Sequence, residues 1–253
     1  MKAAKLLMEK VNRGEVVTGT LVMNQLWLGL VEMHIKAGLD YMIVDMEHGV
    51  HAPELVVEIC ALGRMIDFPI LIRPIDLEMS TIRRVLDMGA VGMLLPTVQS
   101  ATDLDKVRDA IYVPPRGQRR PGGRGNEWVT DFSHDGWRVQ LEDDVIVLPQ
   151  IETQLGLDNV ADIASHEITT AMAHGPYDLS MDLGVGNQTN GPEVLEATKQ
   201  IQAAANEVGK KMWVIGDGPT MKQRGYTFIC IGLPTSILET SLQNIVLATV
   251  TAD

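Results

Sequence analysis

Two acids and two histidines crowd into VDMEHGVH (Val44 to His51), directly after the apolar run YMI. Histidine exchanges protons near neutral pH, since its unperturbed pKa is about 6.5, and this makes His48 a candidate general base. The apolar run PILI of PILIRPI is followed by Arg73, a fixed cation whose planar fork of donors suits a substrate carboxylate or a developing enolate oxygen. VIVLPQIE ends in Gln150 and Glu152, and TTAMAHGP runs into Gly175, Tyr177 and Asp178. Glu152 and Asp178 brought side by side would repel, and one would have to take up a proton unless a cation lay between them. A hard divalent ion, its shell completed by water or substrate oxygens, resolves the conflict. Without thiolate or histidine partners at that point, Mg²⁺ or Mn²⁺ fits better than a structural zinc, with Co²⁺ a further candidate.

Taken singly, each signal has a plain alternative. An EH pair after a strand is ordinarily a solvated loop, and an arginine at a strand end ordinarily a salt-bridging rim residue. Such groups at the ends of four separate strands favour the functional reading. His34, His51, His134 and His166 fall in loops or helical patterns where surface histidines are ordinary. The fourteen methionines read as core filler, and Cys60 and Cys230, each inside an apolar segment, as buried reduced thiols.

The elements that must position these groups follow from hydropathy patterning. Strands are expected at 16–23, 41–47, 69–75, 92–98, 145–152, 169–176, 211–217 and 226–233; runs that are nearly all apolar fit parallel strands buried on both faces. PELVVEICALGRMI (53–66), opening on Pro53, and STIRRVLDMGA (80–90), with Ser80 as a possible cap, have helical spacing. Similar patterns cover 25–38, 102–112, 154–165, 192–208 and 235–249, and the charged N-terminus reads as one more helix instead of a signal peptide. Eight β/α alternations predict one α/β domain over residues 1–253, a (β/α)₈ TIM barrel with an extra N-terminal helix. In that architecture the reactive groups sit at the C-terminal ends of the strands. The Pro-, Gly- and Arg-rich stretch 112–144 is expected to cover or border the active site.

A formal charge of −12 leaves no basic footprint for nucleic acid or an anionic membrane surface, and no window approaches 18 consecutive apolar residues. A cytoplasmic protein is expected. Walker, GxGxxG and GxSxG signatures are missing, and no lysine stands at a strand end for a Schiff base, so carbonyl chemistry would have to use a metal.

VDMEHG, the RP after PILI, LDMGA followed by LLPTVQSA, YVPPRGQR, LPQIETQLGLDNV and GPYDLSMDLG, in this order and spacing, resemble the class II pyruvate aldolases of the HpcH/HpaI family. These are typified by 4-hydroxy-2-oxoheptanedioate and 2-dehydro-3-deoxyglucarate aldolases. The resemblance covers roughly 5–250 and implies a phosphoenolpyruvate/pyruvate-type barrel that makes or breaks a C–C bond through a pyruvate enolate, taking a 2-oxoacid and an aldehyde. It implies that His48 transfers the proton, that Arg73 stabilises the transition state, and that Glu152 and Asp178 hold the metal. Asp87 would raise the basicity of the histidine, Asp45 would belong to the catalytic set, and Gln150, Gly175, Tyr177 and Asp178 would surround the substrate. It further implies a homohexamer built as a trimer of dimers, with the last helices exchanged between subunits. Departures stand at Tyr177, where a small residue is usual, at Arg120 in place of a glycine, at His174, and at Leu233 and Pro234. Alternatives are an oxaloacetate decarboxylase or citrate-lyase-beta-like lyase using the same enolate, and a non-catalytic acid-binding barrel.

Overall fold

The computed structural model describes residues 1–252. Helix α1 (Lys2–Asn12) precedes β1 (Val17–Val22), α2 (Leu28–Lys36), β2 (Tyr41–Asp45), α3 (Pro53–Met65), β3 (Ile70–Arg73), α4 (Met79–Met88), β4 (Gly92–Leu95) and α5 (Ala101–Ile111). Then come α6 (His134–Gln140), β5 (Ile146–Ile151), α7 (Gln154–Asp158), α8 (Val160–Ser165), β6 (Ala171–His174), α9 (Pro176–Asp182), α10 (Pro192–Glu207), β7 (Lys211–Ile215), α11 (Gly218–Gln223), β8 (Phe228–Cys230) and α12 (Pro234–Val250). The strands close into a parallel barrel in sequence order, β8 pairing back onto β1, as the hydropathy pattern predicts for a (β/α)₈ fold.

Alternation along the strands divides the core in two. Leu21, Tyr41, Ile43, Leu71, Leu94, Leu148 and Trp213 fill the barrel, while Val22, Met42, Val44, Ile72 and Met93 pack outward against the helices. Inside, the Trp213 indole N–H donates to the Tyr41 hydroxyl at 2.8 Å, so the polar tips of two buried aromatics satisfy each other. Gly19 is obligatory beside them, because a Cβ there would lie 2.5 Å from the Tyr41 ring. Ala3, Ala4, Leu7 and Val11 of α1 belong to this inner cluster, so the extra helix stoppers the barrel at the N-terminal ends of the strands.

Several expectations are corrected. The stretch 112–144 joins the end of α5 to the start of β5 and therefore lies at the N-terminal end of the barrel, opposite the strand ends that carry the acids; its Gly125 packs on Leu86 and Gly89 and its Arg119 on Asp87. Ser80 is no cap: α4 starts one residue earlier, with the Asp76 carboxylate accepting from the N–H of Glu78 before it. Residues 154–165 form two helices broken at Asn159, whose side-chain amide donates to the Gln99 carbonyl at 2.8 Å. His34 is buried, held between the Thr20 hydroxyl and the Leu30 carbonyl. Both cysteines are buried as expected, and burial pushes each thiol up to about 12.

Candidate active site

β2 and β3 run side by side with Asp45 in register with Arg73. Arg73 Nε donates to Asp45 Oδ1 at 2.9 Å and Nη2 to Oδ2 at 2.5 Å, both side chains buried. Asp45 Oδ1 also accepts from the backbone N–H groups of Glu47 (3.0 Å) and His48 (3.3 Å). One carboxylate thereby fixes the guanidinium and shapes the turn that presents the two following side chains. Glu47 stands 3.2 Å from Arg73 Nε and 3.6 Å from His48 Nε2, and His48 is half exposed. Burial raises the Glu47 carboxyl above its ordinary value, and Arg73 opposes that rise.

Glu152 follows directly on β5 and is almost wholly buried. Its Oε1 accepts from the N–H of Thr97 (2.6 Å) and from the Thr97 hydroxyl (2.9 Å), while Oε2 has no partner. Thr97, just past β4, makes this possible by adopting φ 48°, a left-handed conformation that β-branched residues avoid. Burial, reinforced by Asp178 and Glu47 and opposed by the Thr97 hydrogen bonds, pushes Glu152 up to about 7. Next in from the strand end, Gln150 is also buried and its Oε1 is unpartnered. β6 closes on this pair through Gly175: a Cβ there would stand 2.3 Å from Glu152 Oε2 and 2.5 Å from Gln150 Nε2.

Glu47, His48, Thr97, Glu152 and Asp178 line one cleft of about 410 Å³ at the C-terminal ends of the strands. His48, Arg73, Glu152, Asp178, Gln150, Gly175 and Asp45 are thus brought to one end of the barrel. Tyr177 stands beside Asp178 in the first turn of α9, largely exposed. Asp87 is not part of this cluster. It lies in the last turn of α4, at the other end of the barrel, where it accepts from Asn126 Nδ2 (2.9 Å), Arg119 Nη2 (3.4 Å) and the Gly122 N–H (3.3 Å). A helix that returns antiparallel to its strand carries its C-terminal residues away from the strand ends, so within one chain Asp87 does not reach His48.

Two members had no assigned role in the sequence reading. Glu47 sits inside the EHG triplet and was visible there. Thr97 carries no charge, and its value to the site is a backbone angle that no residue pattern displays.

The donors fit a hard cation. Glu152 Oε2 and Gln150 Oε1 are buried acceptors without donors, and burial, with Asp178 and Glu47 adding to it, disfavours the charged Glu152 carboxylate in the absence of a cation. Glu152 and Asp178 would hold the ion.

The family model described as HpcH/HpaI aldolase/citrate lyase matches residues 29–236. A 2-keto-3-deoxy-L-rhamnonate aldolase of Shigella boydii serotype 4 is 28% identical over 244 residues, 92% of this chain and 89% of that protein. The crystal structure of an HpcH/HpaI aldolase from Desulfitobacterium hafniense DCB-2 superposes with a TM-score of 0.89 at 26% identity, covering 98% of this chain and 97% of that one. An HpcH/HpaI aldolase/citrate lyase family protein from Burkholderia cenocepacia J2315 has the same fold, with a TM-score of 0.87 at 20% identity over 97% and 99% of the two chains.

Proposed function

The chain belongs to the HpcH/HpaI aldolase/citrate lyase family, and we propose that it is a divalent-metal-dependent aldolase acting on 4-hydroxy-2-oxoacids, releasing pyruvate and an aldehyde. The observation that carries this reading is the buried, unpartnered Glu152 Oε2, held beside Asp178 with no protein donor to neutralise it. Mg²⁺ or Mn²⁺, with Co²⁺ as a further candidate, would supply Lewis acidity toward the 2-oxo group.

The side chains around it perform the rest. Arg73, pinned by Asp45 in one orientation, offers fixed positive charge to the carboxylate end and to the oxygen on which charge develops as the C3–C4 bond breaks. His48 Nε2, open to solvent and steered by Glu47, takes the proton of the 4-hydroxyl, directly or through water. Electrons of the C3–C4 bond pass to the enolate, the aldehyde departs, and the enolate is protonated at C3 to give pyruvate. Gln150 and the α9 backbone at Tyr177 would contact the pyruvyl unit, with the Tyr177 ring at the rim narrowing the entrance for the aldehyde portion. The relatives named as 2-keto-3-deoxy-L-rhamnonate aldolases support a deoxy sugar acid as substrate.

We further propose a cytoplasmic homo-oligomer assembled as a trimer of dimers. No described helix is long and apolar enough to cross a membrane. None of the 17 residues of α12 is buried, although Leu238, Leu242, Ile245, Val246 and Leu247 form an apolar face.

The test is pyruvate release from a panel of 4-hydroxy-2-oxoacids and oxaloacetate, with EDTA and with each metal restored. Turnover that EDTA stops and metal restores, and that Glu152→Ala abolishes without unfolding the protein, supports the reading. Selective turnover of oxaloacetate moves it to a decarboxylase, and no turnover with any metal sinks it.

A further inference from the structure

A second cavity, of about 640 Å³, lies outside the barrel wall between β6, α10, β7 and α11. Its volume is that of small-molecule sites in general, and the active-site reading makes no use of it. Ala171 and Ala173 face the barrel interior and Met172 faces the helices, so alternation turns His174 outward, toward α10. His174 is only 5% exposed, and it lines this cavity.

The hydrogen bonds fix what His174 presents there. The Thr198 hydroxyl spends its one proton on the Val194 carbonyl at 2.7 Å, so toward His174 Nδ1, 3.4 Å away, it can only accept. The imidazole proton therefore sits on Nδ1, and Nε2 is a lone-pair acceptor. That Nε2 is buried and has no partner, a loss of free energy unless something supplies a donor. At the mouth, Arg224 donates to Asn190 Oδ1 at 3.2 Å and makes no ion pair among the described residues. Lys199, paired with Glu196 at 3.2 Å, stands on the same rim; Asp217 also lines the cavity, its carboxylate accepting from the N–H and hydroxyl of Thr220, and Leu195, Ile215 and Met221 supply apolar wall. Among the described residues the cavity thus offers an unpartnered acceptor at His174, one cation free of an ion pair at Arg224, and apolar wall between.

We propose that this cavity is a second binding site, for a small hydroxylated carboxylate: a hydroxyl donates to His174 Nε2 and the carboxylate is held by Arg224, with Lys199 beside it. The bound molecule would sit one peptide bond from the active-site cleft, since His174 faces the cavity and Gly175 faces Glu152. The proposal does not rest on the aldolase reading.

The experiment uses full-length protein with ¹⁵N-labelled histidine, titrated with gluconate as probe. Hexanoate carries the carboxylate without hydroxyls, and sorbitol the hydroxyls without the carboxylate. The expected result is a shift of the His174 Nε2 resonance with gluconate, at least about tenfold weaker with either control, because each control omits one of the paired contacts. Arg224→Gln, at an exposed position, should raise the gluconate dissociation constant by a similar factor, while Glu152→Gln leaves it unchanged. Equal response to all three compounds, shifts confined to His48, or gluconate binding untouched by Arg224→Gln would each overturn the proposal.

Discussion

Asp45 and Arg73 form a bidentate pair across the β2–β3 register, and the Asp45 carboxylate simultaneously accepts the N–H groups of Glu47 and His48. Removing one partner of a buried pair leaves the other uncompensated, which typically costs about 3 to 5 kcal/mol. Asp45→Ala should lose stability on that scale in urea melts. Arg73→Lys retains the charge but not the fork, so it should fold with smaller loss while pyruvate release falls about 10²-fold or more. Near-normal turnover in the lysine variant would show that point charge alone suffices at this position.

The pH dependence of metal-free stability follows from Glu152. Its folded carboxyl titrates at about 7 against an ordinary 4.5, so the folded protein holds this proton more tightly than the unfolded chain. The contribution is fully present below about 4.5 and is lost as pH rises through about 7, on the order of 3 kcal/mol in all. Thermal melts of chelated protein should show this decline superimposed on whatever other groups contribute. It should be absent in Glu152→Gln, and saturating Mg²⁺ or Mn²⁺ should offset it. An identical slope in wild type and Glu152→Gln would contradict the assignment.

His174 predicts a decline at the acid side. Burial pushes its imidazole down to about 4, so the unfolded chain binds the proton first and stability falls as pH drops from about 6.5 toward 4. His174→Gln should flatten that limb in melts across this range.

Gly175→Ala places a methyl 2.3 Å from Glu152 Oε2 and 2.5 Å from Gln150 Nε2. Overpacking of this kind costs about 1 to 3 kcal/mol, and displacement of both side chains should lower turnover by about 10²-fold. Calorimetric titration of Mn²⁺ separates the effects: weaker metal binding along with lower turnover is the expected outcome, and unaltered affinity would place the damage elsewhere.

Charges placed on the apolar face of α12 should dissociate the proposed assembly. Leu242→Asp with Val246→Asp alters residues that touch little within their own chain, so helical content should be retained while light scattering reports smaller particles. Unchanged mass would remove this helix from the proposed interface.

Hydropathy was enough to read all eight strands, because doubly buried parallel strands are nearly continuous apolar runs whose ends carry His48, Arg73, Glu152 and Asp178. The segment 112–144 misled, since its composition announces an irregular loop but not which end of the barrel it occupies; only its place after α5 and before β5 decides that. Asp87 was given its role by resemblance; within one chain its place in the last turn of α4 puts it with Arg119 and Asn126. Ser80 lies two residues past the cap position, Glu78, because Asp76 already turns the chain into the helix. His174 was noted as a departure, but its orphaned nitrogen depends on the one proton of Thr198, 24 residues on.

Thr97 holds φ 48°, and left-handed backbone at a β-branched residue costs on the order of 1 to 3 kcal/mol. Glycine would adopt this angle without strain while keeping the backbone N–H to Glu152, but it would lose the hydroxyl. Heat resistance and carboxylate positioning therefore pull this residue in opposite directions. A laboratory lineage selected for survival at high temperature alone should drift to glycine here and grow hardier as it turns over more slowly. One selected for turnover should keep the strained threonine and accept a lower melting point.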